Sequence, residues 1–231
     1  MGRKDSERFY DSEVMHILTL AIGEDFRRAL APALQSKRDY AAKHGYTYVQ
    51  GGEEFWDRER PIPWSKVGFV LEVLSSLPEG ELVFLSDADV LLTNPDLRLE
   101  NQVVPLLPPQ KDLLMTIDAC GHINSGNMLM RNSPWLRDWW RRVAQQTDLL
   151  YHIWWENAAM IRLLETVPED LALTEITAEH IRFNAYLRGL PGQSLWTPGC
   201  FLVHFAGVYS PKEMERLQAE ILSGKIPRLR M

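Results

Sequence analysis

The sequence predicts an α/β protein: a mostly parallel sheet wound on both faces by helices, with a smaller lobe packed against it. Three observations carry that prediction. Apolar runs and amphipathic stretches alternate through the first half as strand, helix, strand, helix, strand. Glycines and prolines fall at the joints between them. At 231 residues, 45% hydrophobic and 24% charged, the chain can bury one sizeable core.

The elements follow in order. Residues 1–13 form a polar arm, too polar for a signal peptide, so a cytoplasmic location is the expectation. Gly2 with Ser6 also fits the short myristoylation pattern. The apolar run VMHILTLAI, residues 14–22, reads as the first strand and ends at Gly23. A helix is expected over 24–44, kinked or split by Pro32 and capped by Gly45. YTYVQ, residues 46–50, is the second strand. Pro63 and Trp64 open a helix with Val67, Val70, Leu71 and Leu74 on one face, and Pro78 to Gly80 end it. Residues 81–86 are the third strand. Beyond it, 113–117 and 127–131 read as strands, and Ser133-Pro134 starts a helix carrying Trp135, Trp139 and Trp140 as core residues. A helix over 151–166, an apolar strand over 201–205 and a helix over 211–223 complete the chain. Residues 14–231 are read as one domain with halves 14–100 and 101–231.

The net charge of −6 argues against a nucleic-acid or anionic-membrane surface, and no apolar run is long enough for a transmembrane helix. The two cysteines, Cys120 and Cys200, have no metal spacing and read as small core thiols.

The third strand ends in VFLSDADVLLTNP, where Asp87 and Asp89 interrupt two apolar runs. Like charges at a core edge are costly unless a cation holds them. In an extended segment both carboxylates face one side and reach one hard cation, Mg²⁺ or Mn²⁺. The alternative is a turn cap beside a solvated aspartate. His204 lies in the apolar run FLVHFAG, either as a satisfied core histidine or as a nitrogen ligand that tilts the site towards Mn²⁺. Gly207 three residues later suits close approach of backbone to a ligand. Glu156 and Asn157 share helix faces with core positions. Lys66 offers a cation at a helix start, or is a solvated lysine. Residues 124–127, Asn-Ser-Gly-Asn, read as a polar turn whose amides suit sugar hydroxyls.

Seven segments, in order, resemble glycosyltransferase family 34, the galactosyl-, xylosyl- and mannosyltransferases of the GT-A type: KRDYAAKHGYTY, PWSK, FLSDADVLLTNP, NSGNMLMRN, WENAAMIRLL, RFNAY and HFAG. The resemblance implies a GT-A, Rossmann-like fold with a nucleotide-binding first half and an acceptor-side second half. It implies a retaining transferase that moves a hexose or pentose from a nucleoside diphosphate sugar, taken as UDP-linked, to a glycan or other hydroxyl acceptor. Asp87, Asp89 and His204 would hold the metal, and Ala21, Gly23, Lys66, Ala88, Asn124, Gly126 and Gly207 would border the donor. Glu156 and Asn157, with Lys66, would be the catalytic group: Glu156 is either a nucleophile or, the preferred reading, joins Asn157 in stabilising an oxocarbenium-like state. Two positions depart from the family's pattern: the pair is Glu-Asn rather than Asp-Gln, and Val208 to Ser210 stand where a lysine is usual. The rivals are a phosphohydrolase using Asp87 and Asp89, and a catalytically silent sugar-nucleotide-binding domain.

Overall fold

A computed structural model of the chain describes residues 14–227. The polar arm and the Gly2–Ser6 pattern lie outside the described residues. Strand β1 (Met15–Leu20) leads into α1 (Glu24–Ala29) and α2 (Ala31–His44), so the expected long helix is split at Leu30. Pro32 sits in the first turn of α2, where its missing N–H leaves no helical bond unmade. Gly45 closes α2 in the left-handed conformation, φ 75°. There follow β2 (Thr47–Gly51), α3 (Ser65–Ser76), β3 (Leu82–Ser86), β4 (Val90–Leu92), α4 (Leu99–Gln102) and β5 (Leu113–Ile117). The second half holds β6 (Ile123–Arg131), α5 (Pro134–Ala144), α6 (Trp155–Thr166), α7 (Pro168–Ala172), β7 (Thr174–Thr177), α8 (His180–Phe183), β8 (Leu202–His204) and α9 (Pro211–Leu222).

Six strands form one sheet in the order β2-β1-β3-β6-β5-β7. Five run the same way. Only β6 is reversed, because a short connection after β5 returns it as a hairpin partner. The chain leaves β1 to one side for β2 and returns on the other for β3, both parallel to β1. A crevice therefore opens at the carboxyl ends of β1 and β3, the usual ligand position in such sheets.

Helices α3, α5 and α6 cover one face, where Trp64, Val70, Trp139, Trp140 and Met160 are buried together. Helix α2 and the segments around β4 and α8 cover the other, with Tyr40, Phe84, Phe183 and Phe201. Ser133 caps α5 by accepting the Leu136 N–H. Trp139 and Trp140 are core residues, as expected. Trp135 is only partly buried, and its indole N–H donates to Asp170.

Three expectations need correction. Residues 124–126 are not a turn: β6 begins at Ile123 and includes them. Helix α6 begins at Trp155 rather than 151, and Trp155 adopts φ 44°, outside the helical range at its first residue. Cys120 is exposed and Cys200 half-buried, so neither is a core thiol. Both sit in loops, and only Cys200 packs, at the margin, against an apolar cluster that includes Trp196 and Val203. Among the described residues no helix is long and apolar enough to cross a membrane.

Candidate active site

The acidic pair sits at the crevice, on a turn instead of an extended segment. The Val90 N–H donates to the Asp87 carbonyl at 3.1 Å, and the Asp87 N–H to the Gly126 carbonyl at 2.7 Å. That geometry corrects the alternation argument, yet the turn still brings the carboxylates together. Lys37 holds the turn: its ammonium, wholly buried, donates to the carbonyls of Asp87 at 2.6 Å and Ala88 at 3.3 Å. Burial drives the Lys37 pKa down to about 7 against the pull of Asp89 and Asp87. Sequence reasoning missed this residue. A signal existed, since Lys37 shares a helix face with Ala33, Leu34, Tyr40 and Ala41, all buried.

His204 arrives from a distant part of the chain through a second, two-stranded sheet. Strands β4 and β8 pair antiparallel with His204 opposite Val90, next to Asp89. Phe201, Leu202, Val203 and Phe205 around it are buried. Each such side chain contributes about 1.5–3 kcal/mol by burial, so a one-residue slip that exposed this set is excluded. The imidazole Nδ1 bonds the Asn184 Oδ1 at 2.9 Å. Asn184 Oδ1 also accepts from Asn127, and its amide donates to Asn124 at 3.0 Å, so the acceptor role of Oδ1 is set by the network. Nδ1 therefore carries a proton, and Nε2 is the ring nitrogen that faces Asp89, at 3.5 Å.

Asp87, Asp89 and His204 each offer one ligand atom, all within 4.8 Å of one another. Two hard oxygens and one neutral imidazole nitrogen fit a divalent ion of the Mn²⁺ kind. Burial would raise the Asp89 carboxyl, but His204 and then Lys37 and Lys66 outweigh it and hold the group below the usual carboxylate range. The charged form of Asp89, the form that can ligate a cation, is therefore favoured.

Behind the triad, Lys66 is buried and committed. Its ammonium lies 2.8 Å from Asp87 and 3.0 Å from Glu156. Burial lowers its pKa, but the two carboxylates reverse the effect and raise it. Glu156, 4% exposed, is pushed up by burial against the pull of Lys66, and accepts a bond from Ser125. Asn157 donates to the Ile123 carbonyl at 2.8 Å, while its Oδ1 is buried without a partner among the described residues.

The remaining expected residues divide. Gly126 lies against His204: a Cβ there would meet the ring Cε1 at 2.2 Å. It makes room for the imidazole. Asn124 joins the network that orients His204 through Asn184, and Ala88 is buried in the turn. The Ala21 N–H donates to the Gly51 carbonyl and the Gly23 N–H to Glu53, so neither amide is turned to the crevice. Gly207, φ 73°, lies against the Arg188 guanidinium.

Sheet order and topology define the class: this is a GT-A fold. Residues 13–108 match the sequence model of the galactosyl transferase GMA12/MNN10 family. A probable alpha-1,2-galactosyltransferase, gmh2 of Schizosaccharomyces pombe, is 24% identical over 80% of this chain and 62% of its own length. Xyloglucan 6-xylosyltransferase 4 of Arabidopsis thaliana is 30% identical over 47% of this chain and 22% of its own. The chain thus spans less than two thirds of the length of these relatives. A glycosyltransferase involved in glycosylation of the major capsid of PBCV-1 shares the fold, with TM-score 0.68 and 14% identity over 89% of this chain and 98% of that one.

Proposed function

We propose that this chain transfers a hexose or pentose from a nucleoside diphosphate sugar, UDP-linked, to a hydroxyl of a glycan or similar acceptor. The observation that carries the proposal is the triad of Asp87, Asp89 and the Nε2 of His204, gathered at the carboxyl ends of the parallel strands. A divalent ion held there, Mn²⁺ in preference to Mg²⁺, would supply Lewis acidity to the departing diphosphate.

In the reaction the bond between anomeric carbon and diphosphate oxygen breaks with its electron pair on the oxygen. The acceptor oxygen bonds to that carbon and gives up its proton to the released diphosphate. The chain's own residues prepare this event. Asn184 holds the His204 tautomer, and Lys37 pins the acidic turn. Lys66, expected near the donor phosphates or sugar, pairs with Asp87 and Glu156, so its role is to position both carboxylates. Glu156 adds negative charge where positive charge develops on the sugar, and Asn157 Oδ1 supplies an unused acceptor for a hydroxyl. With the Glu156 carboxylate held by Lys66 and Ser125, front-face stabilisation with retention suits the geometry better than covalent attack.

The acceptor side is aromatic. Just ahead of Glu156, Trp154 packs against His122 with ring centroids 4.1 Å apart and ring planes tilted by 46°, while Tyr151 and Ile153 are 82% and 72% exposed. Such rings suit the apolar face of a sugar.

A screen of UDP- and GDP-sugars with Mn²⁺, read as nucleoside diphosphate release, tests the proposal. Release should require the ion and vanish in an Asp87→Asn, Asp89→Asn variant. Turnover that survives chelator or that double substitution overturns it.

A further inference from the structure

The diphosphate of the donor proposed above carries two negative charges and gains a third on release, while a divalent ion at the triad is already balanced by Asp87 and Asp89. A second cation is needed, and two obvious ones are already committed. Lys66 is buried and bridges Asp87 and Glu156. Lys37 is wholly buried and turned to backbone carbonyls. Neither can swing to a phosphate without leaving a carboxylate or carbonyls unpaired in the interior.

Arg188 differs in each respect. It is exposed, and it forms no ion pair or side-chain hydrogen bond among the described residues. Tyr186, two residues earlier, bridges to His204 in β8, which anchors the segment beside the triad. Arg188 and His204 line one small cleft together with Tyr186 and Phe205. On the far side of the guanidinium stands Gly207, where an added Cβ would come within 2.7 Å of Nη2. The glycine leaves the space that Arg188 occupies. A planar guanidinium with no carboxylate partner, next to a site for a metal-bound anion, has the fork geometry for phosphate oxygens.

We propose that Arg188 is the diphosphate-binding cation of this site, gripping the donor's phosphates from the cleft beside His204. The inference rests on the donor reading above, and the test separates the two. Inorganic pyrophosphate and UDP, each with Mn²⁺, would be titrated calorimetrically into wild type, Arg188→Ala, Arg188→Lys and the Asp87→Asn, Asp89→Asn variant. Arg188→Ala should weaken both probes about ten- to a hundredfold, the size of a lost hydrogen-bonded charge. Its affinity for Mn²⁺ alone should be unchanged, and Arg188→Lys should recover part of the loss. If wild type binds the probes through Asp87 and Asp89 while Arg188→Ala binds them equally well, the role of Arg188 is refuted and the donor site stands. A wild type that binds neither probe refutes the donor site, and this inference with it.

Discussion

Gly126→Ala should disable the ion site although it adds a single methyl group far from any solvent-exposed ligand. Gly126 lies inside β6 with an ordinary strand conformation, so the backbone tolerates alanine. The obstacle is steric. The new Cβ would stand 2.2 Å from His204 Cε1, 2.8 Å from Nδ1 and 2.9 Å from Asn124 Oδ1. Ordinary carbon contacts are about 3.5–4.0 Å, so the ring must retreat by about 1 Å or more. A retreat of that size breaks the 2.9 Å bond to Asn184 and swings Nε2 away from Asp89. Overpacking costs about 1–3 kcal/mol and the lost buried hydrogen bond a similar amount, for a total of about 2–5 kcal/mol. For a domain of this size the melting temperature should fall by about 5–15 °C. Mn²⁺ affinity, followed by electron paramagnetic resonance of the free ion, should fall at least about tenfold. Gly68→Ala is the control: Gly68 lies in α3 with no atom within 4 Å of a built Cβ, so it should gain up to about 1 kcal/mol from helix propensity. If Gly126→Ala melts and binds Mn²⁺ like wild type, His204 is not held as described and the ligand assignment is wrong.

Other perturbations probe separate links. Lys66→Met removes the cation between two carboxylates and should destabilise the fold by about 3–5 kcal/mol in urea titrations. A smaller loss, under about 1 kcal/mol, would mean that Glu156 is already neutral. Asn184→Ala should weaken Mn²⁺ binding about 10–100-fold with little change in secondary structure by circular dichroism, because Nδ1 loses the partner that sets its tautomer. Trp154→Ala should raise the acceptor KM about five- to tenfold and leave UDP binding alone. An unchanged acceptor KM would remove the aromatic face from the acceptor site. Lys37 titrates near pH 7 when folded and at 10.5 in the unfolded chain, so the unfolded state holds the extra proton between those values. In chelator, wild type should therefore gain stability over Lys37→Met as pH rises through that window, by up to about 1.4 kcal/mol per unit. A flat difference would show that Lys37 is charged throughout.

Strand β3 and the acidic pair were legible because a buried run ending in two carboxylates is a local conflict that any reader of the sequence can see. Lys37 was not seen, although its helix face marks it. A lysine on an amphipathic helix is ordinarily solvated, and its partners, the carbonyls of Asp87 and Ala88, lie some fifty residues away and leave no trace in residue identity. Short β7, with four residues and little apolar content, gave periodicity nothing to register. Lys66 was recognised as a site residue, but its pairing with Asp87 and Glu156 was not, because its charge is visible in sequence and its counter-ions are not.

Local order therefore comes from the chain alone: apolar periodicity, the break before Pro32, the glycine cap at 45, the proline-led start of α5 and the seven ordered segments that resemble glycosyltransferase family 34. These depend on neighbours within a few residues, and such neighbours are written consecutively. Only the tertiary structure decided that the acidic pair turns instead of extending, that Gly126 serves an imidazole, and which of three cations is left for a phosphate. Those outcomes depend on contacts between residues about 20 to 120 positions apart, those of His204 being set by the burial of Phe201, Leu202, Val203 and Phe205 around β4 and β8, and no local rule encodes them.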